Sequence, residues 1–157
     1  MSFTFKYCSL IFLIINPLIL TSGDDIFPKV EKQSTEIFLD RFTVYIADGN
    51  VPKLNVHCHS FDDDLGDMPL LPNQYFHFTF RQDFMYSTFF SCNFSSIAPD
   101  KQITKSVVFN VFDFDISIIC RYPTKNCYWL ARDEGFYFSV DNKPFPNGWT
   151  MNHTWQW

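Results

Sequence analysis

Apolar and polar residues alternate in short runs through most of this chain. In Tyr75 to Arg81, Phe76, Phe78 and Phe80 fall on one parity, and Tyr75, His77, Thr79 and Arg81 on the other. That two-residue period is the pattern of a half-buried strand. Thr88 to Phe94 repeats it, with Phe90, Cys92 and Phe94 sharing one face and Phe89, Ser91 and Asn93 the opposite one. Arg81 to Ser87 between them predicts a hairpin. Further strands are predicted at Phe42 to Ala47, Leu54 to His59, Ser106 to Phe112, Cys127 to Arg132 and Phe136 to Val140. No segment sustains a helical period. Seven or so short strands predict an all-β fold, a small antiparallel β-sandwich.

The first residues follow a different logic. Lys6 precedes an uncharged run from Tyr7 to Leu20, then the small residues Thr21, Ser22 and Gly23. The run is shorter than the roughly 20 residues of a membrane span and is broken at Asn16-Pro17, so residues 1–23 are read as a cleaved secretory signal. The expected organisation is this signal, an N-terminal tail at 24–41, the sandwich at 42–140 and a C-terminal tail at 141–157. The expected location is secreted and extracellular.

Cleavage removes Lys6 and Cys8, leaving 11 Lys and Arg against 17 Asp and Glu, and four cysteines: Cys58, Cys92, Cys120 and Cys127. An acidic chain has no cationic field for phosphates, which argues against nucleic acid. Twenty phenylalanines against five glycines exclude collagen-like and linker-like chains and supply a core. An even cysteine set in an oxidising compartment reads as two disulfides. The pairing is open among three connectivities; loop-closure entropy favours Cys120 and Cys127 each reaching back to Cys58 or Cys92. Spacing of the C-x2-C kind is missing, so structural zinc fits poorly.

Several stretches occur in a telling order. Val56-His57-Cys58-His59-Ser60-Phe61-Asp62-Asp63-Asp64-Leu65-Gly66 precedes Tyr75-Phe76-His77-Phe78-Thr79-Phe80. Thr88-Phe89-Phe90-Ser91-Cys92-Asn93-Phe94 follows, then Cys120, Cys127-Tyr128-Trp129 and Glu134-Gly135-Phe136-Tyr137. Over residues 42 to 140 the set resembles the plant self-incompatibility protein homologues, the S-protein homologue family. The resemblance implies a two-disulfide β-sandwich acting as an extracellular ligand. In the best-understood members of that family, a stigma-secreted protein is recognised by a pollen receptor and triggers calcium signalling that stops self pollen. His59 stands where the family usually has lysine, and Ser91 to Ser95 lacks the tryptophan often found beyond the second cysteine.

Other residues invite chemical readings. His57 and His59 flank Cys58 on one strand face near Asp62 to Asp64, but exposed histidines beside an acidic turn explain the arrangement without a metal. An EF-hand loop counted from Asp62 would need Gly and Glu where Asp67 and Asn73 stand. Asp62, Asp63, Asp64, Leu65 and Gly66 are therefore read as a turn: an Asp side chain accepts backbone N–H bonds, Gly66 takes positive φ and Leu65 plugs the core. No nucleophile elbow, zinc-protease helix or phosphate loop occurs, so neither a catalytic residue nor a cofactor is expected. Asn93 and Asn152 open glycosylation sequons, Asn93 on the parity opposite Cys92. Phe89, Tyr128, Tyr137, Trp149, Trp155 and Trp157 are either interface anchors or a second packed layer.

The expected role is a secreted ligand for a cell-surface receptor protein, without nucleic acid or stable membrane insertion. Its contacts are expected in the loops Asp48 to Lys53, Phe61 to Asn73, Ser95 to Lys105 and Arg121 to Asn126. A membrane-perturbing, toxin-like protein and a hydrolase with unrecognised carboxylates are the alternatives; the sequence names no receptor-binding residue and no oligomeric state.

Overall fold

A computed structural model describes residues 39–97 and 104–156. The expected signal, residues 24–38 of the expected N-terminal tail and Trp157 lie outside the described residues. The chain runs β1 (Arg41–Asp48), β2 (Leu54–His59), β3 (Asp64–Leu70), β4 (Tyr75–Arg81), β5 (Phe90–Ile97), β6 (Thr104–Phe112), α1 (Phe114–Cys120), β7 (Asn126–Arg132), β8 (Gly135–Ser139) and β9 (Thr150–His153). A five-stranded sheet in the order β4-β1-β7-β8-β9 faces a four-stranded sheet in the order β3-β2-β5-β6. The fold is an all-β sandwich with two disulfides. One pair departs from the antiparallel expectation: β1 and β7 are parallel, which their long separation in sequence permits.

The alternating phenylalanines do point inward, but the hairpin predicted between Tyr75–Arg81 and Thr88–Phe94 does not form. β4 pairs with β1 and β5 pairs with β2 and β6, in opposite sheets. Two strands that each carry a phenylalanine face bury more of it by facing one another than by lying side by side. Phe78 and Phe80 accordingly meet Phe90 across the core at 4.7 and 4.6 Å between ring centroids. Residues 82–89 become a crossing between sheets.

Trp129 is fully buried in the same interlayer. Its indole N–H donates across the sandwich to the Val111 carbonyl at 2.9 Å, which satisfies its polar atom.

Two elements carry no visible period. In β3, Gly66 and Pro69 break strand propensity, a combination tolerated because β3 is an edge strand. Helix α1 has only seven residues and starts at Asp113, whose carboxylate accepts the Ile116 N–H at 3.0 Å.

The segment 141–157, expected as a tail, is part of the domain as far as it is described. β9 pairs with β8, and Trp155 is buried on Phe136 with its N–H donated to the Arg132 carbonyl at 2.7 Å. Gly135 admits this docking, because a Cβ there would lie 2.4 Å from the His153 carbonyl oxygen. Phe145 and Trp149 cover Tyr137, Tyr128 and Leu130 on the outer face of the five-stranded sheet. Tyr128, Tyr137 and Trp149 are thus a second packed layer, while Trp155 joins the core between the sheets.

The disulfides are Cys58–Cys92 and Cys120–Cys127, which overturns the long-range pairing expected for the late cysteines. Cys58 and Cys92 are register partners on adjacent strands. Cys120 ends α1 and Cys127 sits in the strand after it, so the chain itself brings them together. Local geometry outweighs the entropic preference for large loops.

A peptide map without reduction is expected to recover these two cross-links and no other. Cys58–Cys92 closes the longer loop, with a sequence separation of 34 against 7, so Cys58→Ala with Cys92→Ala should cost about 2–4 kcal/mol in urea unfolding. That is roughly 1 kcal/mol more than Cys120→Ala with Cys127→Ala.

Candidate functional site

Register fixes which loops share an end of the sandwich. Arg41 faces Arg81 and β7 begins beside them in one sheet; Phe90 faces Phe112 and His59 faces Asp64 in the other. Phe80 touches both Phe90 and Phe112, so these are one end of the molecule. From it emerge residues 60–63, the crossing 82–89, α1 and residues 121–125.

This end is crowned with apolar side chains. Phe61, Phe84, Met85 and Tyr122 are exposed at 89, 82, 79 and 77%, and Tyr86, Phe89, Phe114, Ile118 and Ile119 are also exposed. At the opposite end the exposed large apolar residues among those described are Leu71 and Ile97. Scattered apolar residues need no explanation; a concentration at one end of a domain marks an interaction surface.

The crown is shaped by specific contacts. Tyr86 meets Phe114 edge-on at 6.2 Å, and the Arg121 guanidinium lies 5.8 Å over the Tyr86 ring. Asp83 accepts the Ser87 N–H at 2.7 Å and the Ser87 hydroxyl, and these bonds hold its pKa below the usual carboxylate value. Tyr86 adopts φ 58, a left-handed conformation unusual for a bulky residue. Gln82, at the root of the crossing, is buried with neither amide atom partnered among the described residues.

Charge divides around the apolar centre. On the side of the five-stranded sheet stand Arg41, Arg81, Arg121 and Lys125. Asp40 pairs with Lys125 at 2.6 Å and Arg121 at 3.4 Å, and neither Arg41 nor Arg81 has a carboxylate within ion-pair distance among the described residues. On the side of the four-stranded sheet stand Asp62, Asp63, Asp113 and Asp115.

The loops expected from sequence to carry recognition do not converge. Phe61 and Arg121 to Asn126 lie at the crown. Asp48 to Lys53 lies at the opposite end as a structural turn, where the buried Asp48 carboxylate accepts the Val51 N–H at 2.6 Å and burial raises its pKa. Ser95 to Lys105 also leads to that end, its residues 98–103 outside those described. Phe61 to Asn73 is mostly β3. The two elements that contribute most to the crown are the crossing 82–89, where the sequence predicts a hairpin over Arg81 to Ser87, and α1, where it predicts no helix; Phe84-Met85-Tyr86 between polar residues is the one local signal for the crown.

Of the expected turn at Asp62 to Gly66, Asp62 and Asp63 form the turn, whereas Asp64, Leu65 and Gly66 already belong to β3, where the expected contacts are made. Asp64 Oδ1 accepts the Gly66 N–H at 2.9 Å, Gly66 has φ 73, and Leu65 packs against the core. Ser60 Oγ accepts the N–H of Asp63 at 2.9 Å and of Asp62 at 3.3 Å. His57 is not paired with His59. Its Nε2 lies 2.9 Å from Asp64 and its Nδ1 3.1 Å from Asp67, which also accepts the Asn55 amide at 3.1 Å. His59 is exposed.

Asn93 and Asn152 are both exposed. Asn93 stands on the outer face of the four-stranded sheet. Asn152 lies on β9, along a shallow cleft of about 440 Å³ between β6 and β9 whose lining includes Phe109 and His153. His153 stacks on Phe109 at 3.9 Å, and burial lowers its pKa. Among the described residues, no helix is long and apolar enough to cross a membrane.

A family model described as plant self-incompatibility protein S1 matches residues 43–155. Among Arabidopsis thaliana proteins, S-protein homolog 28 is 37% identical over 68% of this chain and 66% of its own length. S-protein homolog 24 is 30% identical over 83% of this chain and 81% of its own. S-protein homolog 1 is 33% identical over 54% of this chain, which spans about half (52%) of that relative. No solved structure matches.

The His57 contacts generate a pH prediction. The hydrogen bond to Asp67 chiefly raises the His57 pKa above 6.5, while Asn55 first and His57 next lower that of Asp67 below 3.8. The histidine's contribution is complete below 6.5 and fades as pH rises through its raised value. The aspartate's is complete above 3.8 and fades as pH falls through its lowered value. The β2–β3 link should therefore be tightest between these limits. NMR titration should place His57 above 6.5, and Asp67→Asn should bring it down; a wild-type value at or below 6.5 would refute the assignment.

Proposed function

We propose that this chain, which belongs to the plant self-incompatibility protein S1 family, is a secreted, non-catalytic signalling ligand that docks its apolar crown on a cell-surface receptor. The observation that carries this reading is the crown itself. A folded domain loses solubility by exposing Phe84, Met85, Ile118, Ile119 and Tyr122 together, and a partner that covers them recovers the hydrophobic gain. Aromatic anchors in a patch rimmed by charge are what binding hot spots are made of. The family adds recognition between pollen and stigma as the process in which such a ligand acts. The crown holds no sequon, so sugars attached at Asn93 or Asn152 would leave it bare.

A second reading, insertion of the crown into a bilayer, draws on the same apolar residues, but the aspartates along one rim oppose an anionic surface.

The test is binding of the labelled mature protein to plant cells and to protein-free vesicles. Saturable binding to cells is expected, weakened at least about ten-fold by Tyr122→Ala or Phe84→Ser, with circular dichroism unchanged. Equal binding to vesicles, or variants that bind cells as well as wild type does, would sink the receptor reading.

A further inference from the structure

The crown's charge layout has a symmetry of its own. Arg41 and Arg81 face each other across β1 and β4, a like-charge pair that disfavours the free protein. Asp62 and Asp63, in the turn from β2 to β3, and Asp115 at the start of α1 after β6 stand on the side of the four-stranded sheet, all three exposed. Between the rims lies the apolar ridge of α1 and the crossing 82–89.

A surface that is positive along one edge, apolar in the middle and negative along the other is complementary to itself. A two-fold rotation about an axis lying in the contact plane, along the ridge, sets each positive edge on the other copy's negative edge and ridge on ridge. A bilayer offers no such match, because its charge is uniform and rewards one rim while repelling the other.

We propose that the crown is also an isologous dimer interface, in which Arg41 and Arg81 of one copy meet Asp62, Asp63 and Asp115 of the second around a shared apolar ridge. The dimer covers the crown. It is a concentrated, masked form of the ligand that dilution opens. This inference does not rest on the receptor reading: a monomeric protein leaves that reading intact, and a dimer that forms while cell binding is absent leaves this one intact.

Sedimentation of the mature protein over a concentration series tests it. Wild type should dimerise, and salt of about 0.5 M, where charges more than a few Å apart are screened, should weaken association. Arg41→Glu with Arg81→Glu makes both rims negative, and Asp62→Lys with Asp63→Lys makes the far rim positive. Each alone should lower dimer affinity at least about ten-fold. An equimolar mixture of the two should restore dimerisation, since each opposed pair of edges is again of opposite sign, and this rescue also proves both variants folded. Wild type that stays monomeric to about 1 mM, rim variants that dimerise as wild type does, or a mixture that stays monomeric would each overturn the proposal.

Discussion

The contact between phenylalanines of opposite sheets organises this molecule. Phe80 packs at 4.6 Å on both Phe90 and Phe112, Phe78 meets Phe90, and Phe42 meets Phe112 at 4.9 Å. Each ring gains by leaving water, and together they require β4 and β5 to lie in different layers. The chain from Arg81 to Phe90 must then pass over one end of the sandwich instead of turning back on itself. That crossing holds Phe84, Met85 and Tyr86, for which the filled interlayer has no room. The core's demand and the crown's exposure are two consequences of one packing choice.

Both disulfides brace the same end. Cys58 is one residue from the close of β2 and Cys92 two from the start of β5, just inside the turn that carries Phe61, Asp62 and Asp63. Cys120–Cys127 closes the loop bearing Arg121, Tyr122 and Lys125 and fastens the end of α1 to β7. Among the described residues the opposite end is held by non-covalent contacts, for instance by buried Asp48, which accepts from Val51, and by the Lys105 ammonium on Asp133 at 3.0 Å.

What could be read from sequence followed the strength of the local period. β2 and β4 match their predicted limits, because an uninterrupted alternation of large and polar residues admits one solution, and the parity of Cys92 and Asn93 placed one inside and the other outside. The acidic turn was readable too, since Asp64 and Gly66 act on their own backbone. What failed depended on partners distant in sequence. Two phenylalanine strands in succession look alike whether they are to lie side by side or face to face. β9 exists because Gly135 leaves space for it and Trp155 finds Phe136, facts that no local pattern encodes. α1 is shorter than the two helical turns needed for a period to show, and the crown inherits that obscurity because α1 and the crossing build most of it.

Rigidity at the crown bears on how such a surface can recognise anything. Loops that order on binding lose conformational freedom as they do so, and that loss subtracts from affinity. Here Tyr86 is already held in a left-handed conformation, Asp83 is already bonded to Ser87, and α1 is already capped by Asp113 and tied by Cys120. Burial of the Gln82 amide with no partner among the described residues, and the like charges of Arg41 and Arg81 facing one another, each carry a free-energy cost in the isolated chain. A core alone would not select for these costs. They become intelligible when the end of the sandwich is regarded as half of an interface whose other half supplies apolar cover and opposite charge.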